Sequence, residues 1–252
     1  MCLKRRWSNA YQKLIHPLVI QLTKLRIRHR ITVQTESSVP ISTPVIYAVN
    51  HTNCADIPIT CRVICKHAWV LIGKQRLPAT DRLFFLLNGA IWVDRKDQQD
   101  RHRSKEEIQH HLQSGKSLIW FPEATWNLSE NLLMLPMRWG IIECAQKCNA
   151  PIVPIVLNYS PDRLHCTARI GEPFNPDGLS LADGICMLRD RMAELRWSLW
   201  EQKGIVQRNF LNPASERIAI MKAVEEYPSL DLEYEQSVIF DPHNKPTSDE
   251  RA

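Results

Sequence analysis

The chain has 252 residues, of which 44% are hydrophobic and 23% charged, with a formal net charge of +5. That balance excludes a disordered or low-complexity protein and supplies enough apolar material for one large domain, or one domain with appendages. No segment approaches the roughly 20 apolar residues that a membrane-crossing helix needs.

Charge is unevenly spread. Residues 1–30 hold eight Lys or Arg (Lys4, Arg5, Arg6, Lys13, Lys24, Arg26, Arg28, Arg30) and no acid, whereas residues 225–252 hold eight acids. Within the basic head, Trp7, Tyr11, Leu14, Ile15, Leu18, Val19, Leu22 and Leu25 recur at three- and four-residue steps, which predicts one apolar stripe along a helix. Pro17 should kink it. His16, Pro17 and Gln21 interrupt the stripe, and basic residues follow it instead of a cleavage site, so it does not read as a signal peptide. The expected role of this amphipathic helix over 1–30 is to lie on an anionic membrane surface, on the cytoplasmic face, as a peripheral anchor.

Strands are expected at Arg30–Val33, Val45–Val49, Ala68–Ile72, Ile91–Val93, Leu118–Phe121, Ile152–Leu157 and Cys166–Ile170. Helices are expected between them. One runs from Asp56 to Lys66, and one is capped by Thr80 and stopped at Asn88-Gly89. A third starts on a Ser104-Lys105-Glu106-Glu107 capping box and stops at Gly115. A fourth runs from about Arg138 to Lys147. A long last helix carries Ile185, Leu188, Met192, Leu195 and Leu199. Alternation of this kind predicts an α/β domain over 31–204, with a mainly parallel sheet flanked by helices. Residues 205–252 read as an extension whose last ten or so are disordered.

The eight cysteines include the pairs Cys61/Cys65 and Cys144/Cys148. A four-residue step stacks two thiols on one helix face and does not make a zinc knuckle, so reduced cysteines are expected and no metal site.

Chemistry concentrates where apolar strands end in polar turns. Val49 is followed by Asn50-His51-Thr52-Asn53-Cys54-Ala55-Asp56. An imidazole can take a proton near neutral pH, and a carboxylate beside it fixes the tautomer. Five positions along a straight helix point about 140° apart, so His51 and Asp56 meet only if His51 lies at or before the first turn. Gly89-Ala90-Ile91-Trp92-Val93-Asp94-Arg95 comes next, then Phe121-Pro122-Glu123-Ala124-Thr125-Trp126-Asn127, then the Val153-Pro154-Ile155 strand.

These four blocks, in this order, resemble the glycerolipid acyltransferase family, and the resemblance runs from about Pro44 to Pro173. It implies transfer of a fatty acyl group from a thioester donor, acyl-CoA or acyl carrier protein, to a lysolipid hydroxyl. The leading acceptor is 1-acylglycerol-3-phosphate. His51 is then the general base and Asp56 its partner, with no metal and no bound cofactor. Asn50, Arg95, Glu123 and Thr125 match the family blocks that line the acceptor site. Two positions depart from the pattern. Ala124 stands where the family has glycine, so the turn is expected to avoid positive φ. Trp126 stands where the family has arginine, which replaces a phosphate-binding fork with an indole and a single N–H donor. Lys74 and Arg138 are the candidate substitute cations; otherwise the acceptor lacks a phosphomonoester. Cys54 opens a rival route through an acyl-cysteine. A non-catalytic lipid-binding scaffold is a further reading, and no nucleic-acid module is recognisable.

Overall fold

A computed structural model describes residues 9–204 apart from 37–43, 65, 75–76, 129–131 and 161–163, with Ala214 and Ile218 beyond them. The basic residues 4–6, Trp7 and nearly all of the 205–252 extension lie outside the described residues.

Seven strands form one sheet: β1 (Arg30–Thr35), β2 (Ile46–Val49), β3 (Ala68–Gly73), β4 (Ala90–Val93), β5 (Ser117–Trp120), β6 (Ile152–Tyr159) and β7 (His165–Ile170), in the order β1-β7-β6-β2-β5-β3-β4. Every pairing is parallel except β6 with β7. The helices are α1 (Asn9–Arg26), α2 (Asp56–Ile64), α3 (Ala79–Asn88), α4 (Gln98–Gln113), α5 (Gly140–Cys148) and α6 (Leu181–Lys203).

Parallel strands joined through helices are covered on both faces, so the central strands are apolar at nearly every position. β2 is buried throughout, and β6 is buried up to its last residue. Alternate residues serve opposite cores. Ile46, Ala48, Leu118 and Ile152 face Ile108 and Leu112 of α4, Ile141 of α5 and Leu188 and Met192 of α6. Tyr47, Val49, Ile119, Val153 and Ile155 face Ile59 and Val63 of α2 and Phe85 of α3.

All seven expected strands are present. Several helix starts differ from expectation. α4 begins at Gln98, capped by the Asp97 carboxylate, which accepts from the Gln99 and Asp100 amides. Ser104 is therefore an interior residue whose hydroxyl sits 2.6 Å from the Asp100 carbonyl. α3 starts at Ala79 after Pro78, one residue before Thr80, and α5 starts at Gly140 after Trp139, two residues after Arg138. The apolar stripe of α1 divides. Val19 and Thr23 are buried and Ile20 packs on the α2–α3 core, while Leu18 and Leu22 stay exposed. Among the described residues, no helix is long and apolar enough to cross a membrane.

The chain leaves β2 toward β3 on one side and later crosses, between β5 and β6, to the other side of β2. A sheet whose winding reverses in this way opens a crevice beyond the carboxyl ends of its strands. His51 stands two residues past the end of β2, at that crevice.

Candidate active site

His51 precedes α2, and Asp56 is the first residue of that helix. The histidine thus lies before the first turn, the only arrangement in which this spacing lets the two side chains meet. Nδ1 of His51 is 2.8 Å from Oδ2 of Asp56. The carboxylate is fully buried, but it is not bare. It accepts from the Thr52 and Asn53 amides at 2.5 and 2.8 Å and from the Tyr159 hydroxyl at 2.5 Å. Buried charge is tolerated when hydrogen bonds replace the lost water, and these donors hold the negative charge beside the imidazole.

The turn after β5 folds over His51 and clamps it. Glu123 accepts from the His51 amide at 3.1 Å, the Asn127 amide donates to the His51 carbonyl at 2.6 Å, and the Trp126 indole N–H lies 2.8 Å from Nε2. Phe121 packs against the ring, with centroids 4.4 Å apart. Both backbone groups and both ring nitrogens of His51 are therefore engaged. An indole can only donate, so Nε2 must carry the lone pair and Nδ1 the proton. This is the neutral tautomer a general base requires.

Glu123 is 1% exposed, and its second oxygen accepts from the Leu135 amide at 2.9 Å. It serves as a strut between two loops. Burial pushes its carboxyl up to about 7, and the two backbone amides and the charge of Arg196 oppose that rise. Arg196, on α6, is 8% exposed, and its Nη1 lies 2.5 Å from the Leu133 carbonyl. Burial works against its charge, while Glu123 and Asp56 favour it.

Asn50 is also a strut. Its side-chain oxygen accepts from the Leu157 amide and its amide donates to the Leu157 carbonyl, fastening the exit of β2 to β6. Arg95 donates to the Ala124 carbonyl at 2.6 Å and lies across Gly73, where a Cβ would meet its Nη2 at 3.0 Å. That contact brings Arg95 to the turn carrying Trp126. Lys74 pairs with Asp100 of α4 at 2.9 Å, so its ammonium is already engaged. Arg138 is held beside the same turn by its amide, which donates to the Pro122 carbonyl. Thr125 is half-buried between Ala124 and Trp126.

Ala124 corrects the expectation about its turn. It adopts φ 56°, the left-handed region where the family's glycine would sit without strain. Its amide donates to the Phe121 carbonyl and its own carbonyl receives Arg95, so hydrogen bonds at both ends hold the conformation. Sequence reading missed Tyr159 and Arg196. Tyr159 closes β6, two residues past the Leu157 end expected for that strand. Arg196 carries no signal, because a lone arginine on an apolar helix stripe reads as solvent-facing.

The sequence model of the acyltransferase family matches residues 30–158, just over half of the chain. The chain belongs to the acyltransferase family. The chain is 30% identical over 167 residues to the 1-acyl-sn-glycerol-3-phosphate acyltransferase of Escherichia coli (strain K12), a match covering 63% of this chain and 66% of that one. It is 30% identical over 118 residues to the Saccharomyces cerevisiae enzyme of the same name, covering 46% and 39% of the two chains. Its fold matches the crystal structure of the 1-acyl-sn-glycerophosphate (LPA) acyltransferase of Thermotoga maritima with a TM-score of 0.61 at 18% identity, over 81% of this chain and 86% of that one. The matched stretches fall short of two thirds of the length of both curated relatives. The family match contains β1 to β5, all of β6 but Tyr159, and each partner of His51 named above.

Proposed function

We propose that this protein is an O-acyltransferase acting on a lysolipid, with 1-acylglycerol-3-phosphate as the leading acceptor. The observation that carries this reading is the His51–Asp56 pair, 2.8 Å apart at the crevice of a family-matched domain. In the proposed reaction Nε2 of His51 takes the proton of the acceptor hydroxyl as its oxygen attacks the thioester carbon. Asp56 stabilises the imidazolium that forms. The carbon–sulfur bond then breaks, and the leaving thiolate of coenzyme A or acyl carrier protein recovers the proton from Nε2. No step calls on a metal or a bound cofactor. In this reading Arg95, whose guanidinium reaches the turn that carries Trp126, and Arg138, whose backbone is bonded to that turn, are the cations for an acceptor phosphate.

One observation favours a second acceptor class. Trp126 occupies the arginine position of the family turn, so a lysolipid without a terminal phosphate is the alternative. Transfer from radiolabelled oleoyl-CoA and oleoyl acyl carrier protein to a lysolipid panel, with wild type beside His51→Ala, decides both questions. Removing a general base is expected to cost about 10²–10⁴-fold in rate. A His51→Ala enzyme that turns over like wild type overturns the assignment.

The reading includes a membrane surface on the cytoplasmic side. Exposed Leu18 and Leu22 of α1 and Leu83 and Leu86 of α3 support it, because α1 and α3 pack side by side. Exposed Lys24, Arg28 and Arg82 stand on or beside these helices, where anionic headgroups can meet them. Replacing the four leucines by serine should abolish flotation with anionic liposomes; retained flotation rules this surface out.

A further inference from the structure

The indole of Trp126 sits on the one lone pair the reaction needs. Nε2 of His51 accepts the Trp126 N–H at 2.8 Å, with the rings nearly perpendicular at 80°. While that bond stands, no hydroxyl can give its proton to Nε2. An imidazolium cannot accept an N–H either, so the bond must also be broken before His51 takes a proton. The indole is half-buried on a turn that grips the His51 backbone from both sides. Its contact with Nε2 is thus one of three made to His51 by a five-residue segment.

We propose that Trp126 is a positioning residue that keeps His51 in its base-ready tautomer yet closed to water until an acceptor hydroxyl displaces the indole. This rests on the general-base reading of His51 given above. The competing reaction it suppresses is hydrolysis of the donor. A water would give a proton to Nε2, its oxygen would add to the thioester carbon, the carbon–sulfur bond would break, and the thiolate would take the proton back, leaving a free fatty acid. A lysolipid hydroxyl reaches Nε2 because headgroup and acyl-chain contacts elsewhere hold it there, and a lone water has no such help. An arginine at this position has a fork committed to phosphate; tryptophan offers one N–H and a ring that closes the entrance around it.

The test uses the full chain with oleoyl-CoA. Thiol release is followed without acceptor, and oleoyl transfer is followed with oleoyl lysophosphatidic acid in mixed micelles. Trp126→Phe keeps the ring and removes the N–H. The ratio of hydrolysis to transfer should rise on the order of tenfold, the effect of losing one hydrogen bond at the base. An unchanged ratio overturns the proposal. A second readout needs no turnover. In protein labelled with ¹⁵N-tryptophan, the Trp126 indole signal is identified by its absence from Trp126→Phe or Trp126→Leu. In wild type it should be protected from exchange and should shift and lose protection when lysolipid saturates the site. A signal indifferent to lysolipid overturns the proposal whatever the hydrolysis ratio does. Transfer that survives in His51→Ala would instead defeat the general-base reading itself, so the two failures are distinguishable.

Discussion

Two histidine environments occupy opposite ends of the same sheet. At the carboxyl end, His51 has both ring nitrogens and both backbone groups engaged. At the amino end, His16 of α1, His67 before β3 and His111 of α4 gather around Trp69, with His111 stacked on the indole at 4.0 Å and Lys116 over it. There Nδ1 of His111, both ring nitrogens of His16 and the Trp69 N–H are buried without a hydrogen-bond partner. Burial pushes His16 and His111 down to about 4 and lowers His67, helped at His111 by Lys116 and its neighbouring histidines. A histidine surrounded by partners is a positioned reagent. A histidine buried without them is a packing ring held neutral.

Breaking the partnered end should have the largest effect. Asp56→Asn removes the charge beside His51 and leaves its NH₂ facing the Tyr159 hydroxyl or the Thr52 and Asn53 amides. Acyl transfer should fall on the order of 10³-fold, measured as kcat at saturating acceptor. Glu123→Gln acts next, because the carboxylate receives two backbone amides and a carboxamide can accept only one without a clash. Thermal unfolding should show a loss of about 1–3 kcal/mol.

The amino end predicts a pH effect. Its histidines bind protons less readily folded than unfolded, so their contribution is intact above about pH 6.5 and is lost as pH falls toward 4. Stability from denaturant unfolding should drop across that window, by about 2 kcal/mol in all once solvent screening is allowed for. His111→Phe keeps the stack on Trp69 and should flatten the curve. A slope unchanged in that variant would place the titration elsewhere. The smallest effect is a gain: Ala124→Gly relieves the left-handed alanine and should raise stability by about 0.5–1 kcal/mol, seen as a higher melting temperature.

The strands could be read from the sequence because apolar runs such as 45–49 and 152–157 are buried on both faces. The His51–Asp56 pair could be read because its spacing allows contact in one arrangement only, which is the one found. What escaped was set by distant contacts. The first turns of α4, Gln98 to Arg103, are polar throughout and show no periodicity, so the helix was placed too late. The φ of Ala124 is imposed by Arg95 from another strand's end, and the seat of Trp126 on His51 joins residues 75 apart. The family blocks point to Asn50 and Glu123 as acceptor-site residues, and the partners that make them struts lie on β6 and beyond β5.

The place of β1 in the sheet carries a consequence for how the chain is made. β1 touches the sheet only through β7, with Arg30 opposite His165. On the ribosome, at about 5–20 residues per second, the first strand must wait roughly 7–27 s for its neighbour to be synthesised. Until then the leucines of α1 and the edge of β1 are open to other chains. A fragment cut to the family match, ending at residue 158, would keep the candidate active-site histidine but leave its first strand with no neighbour to join.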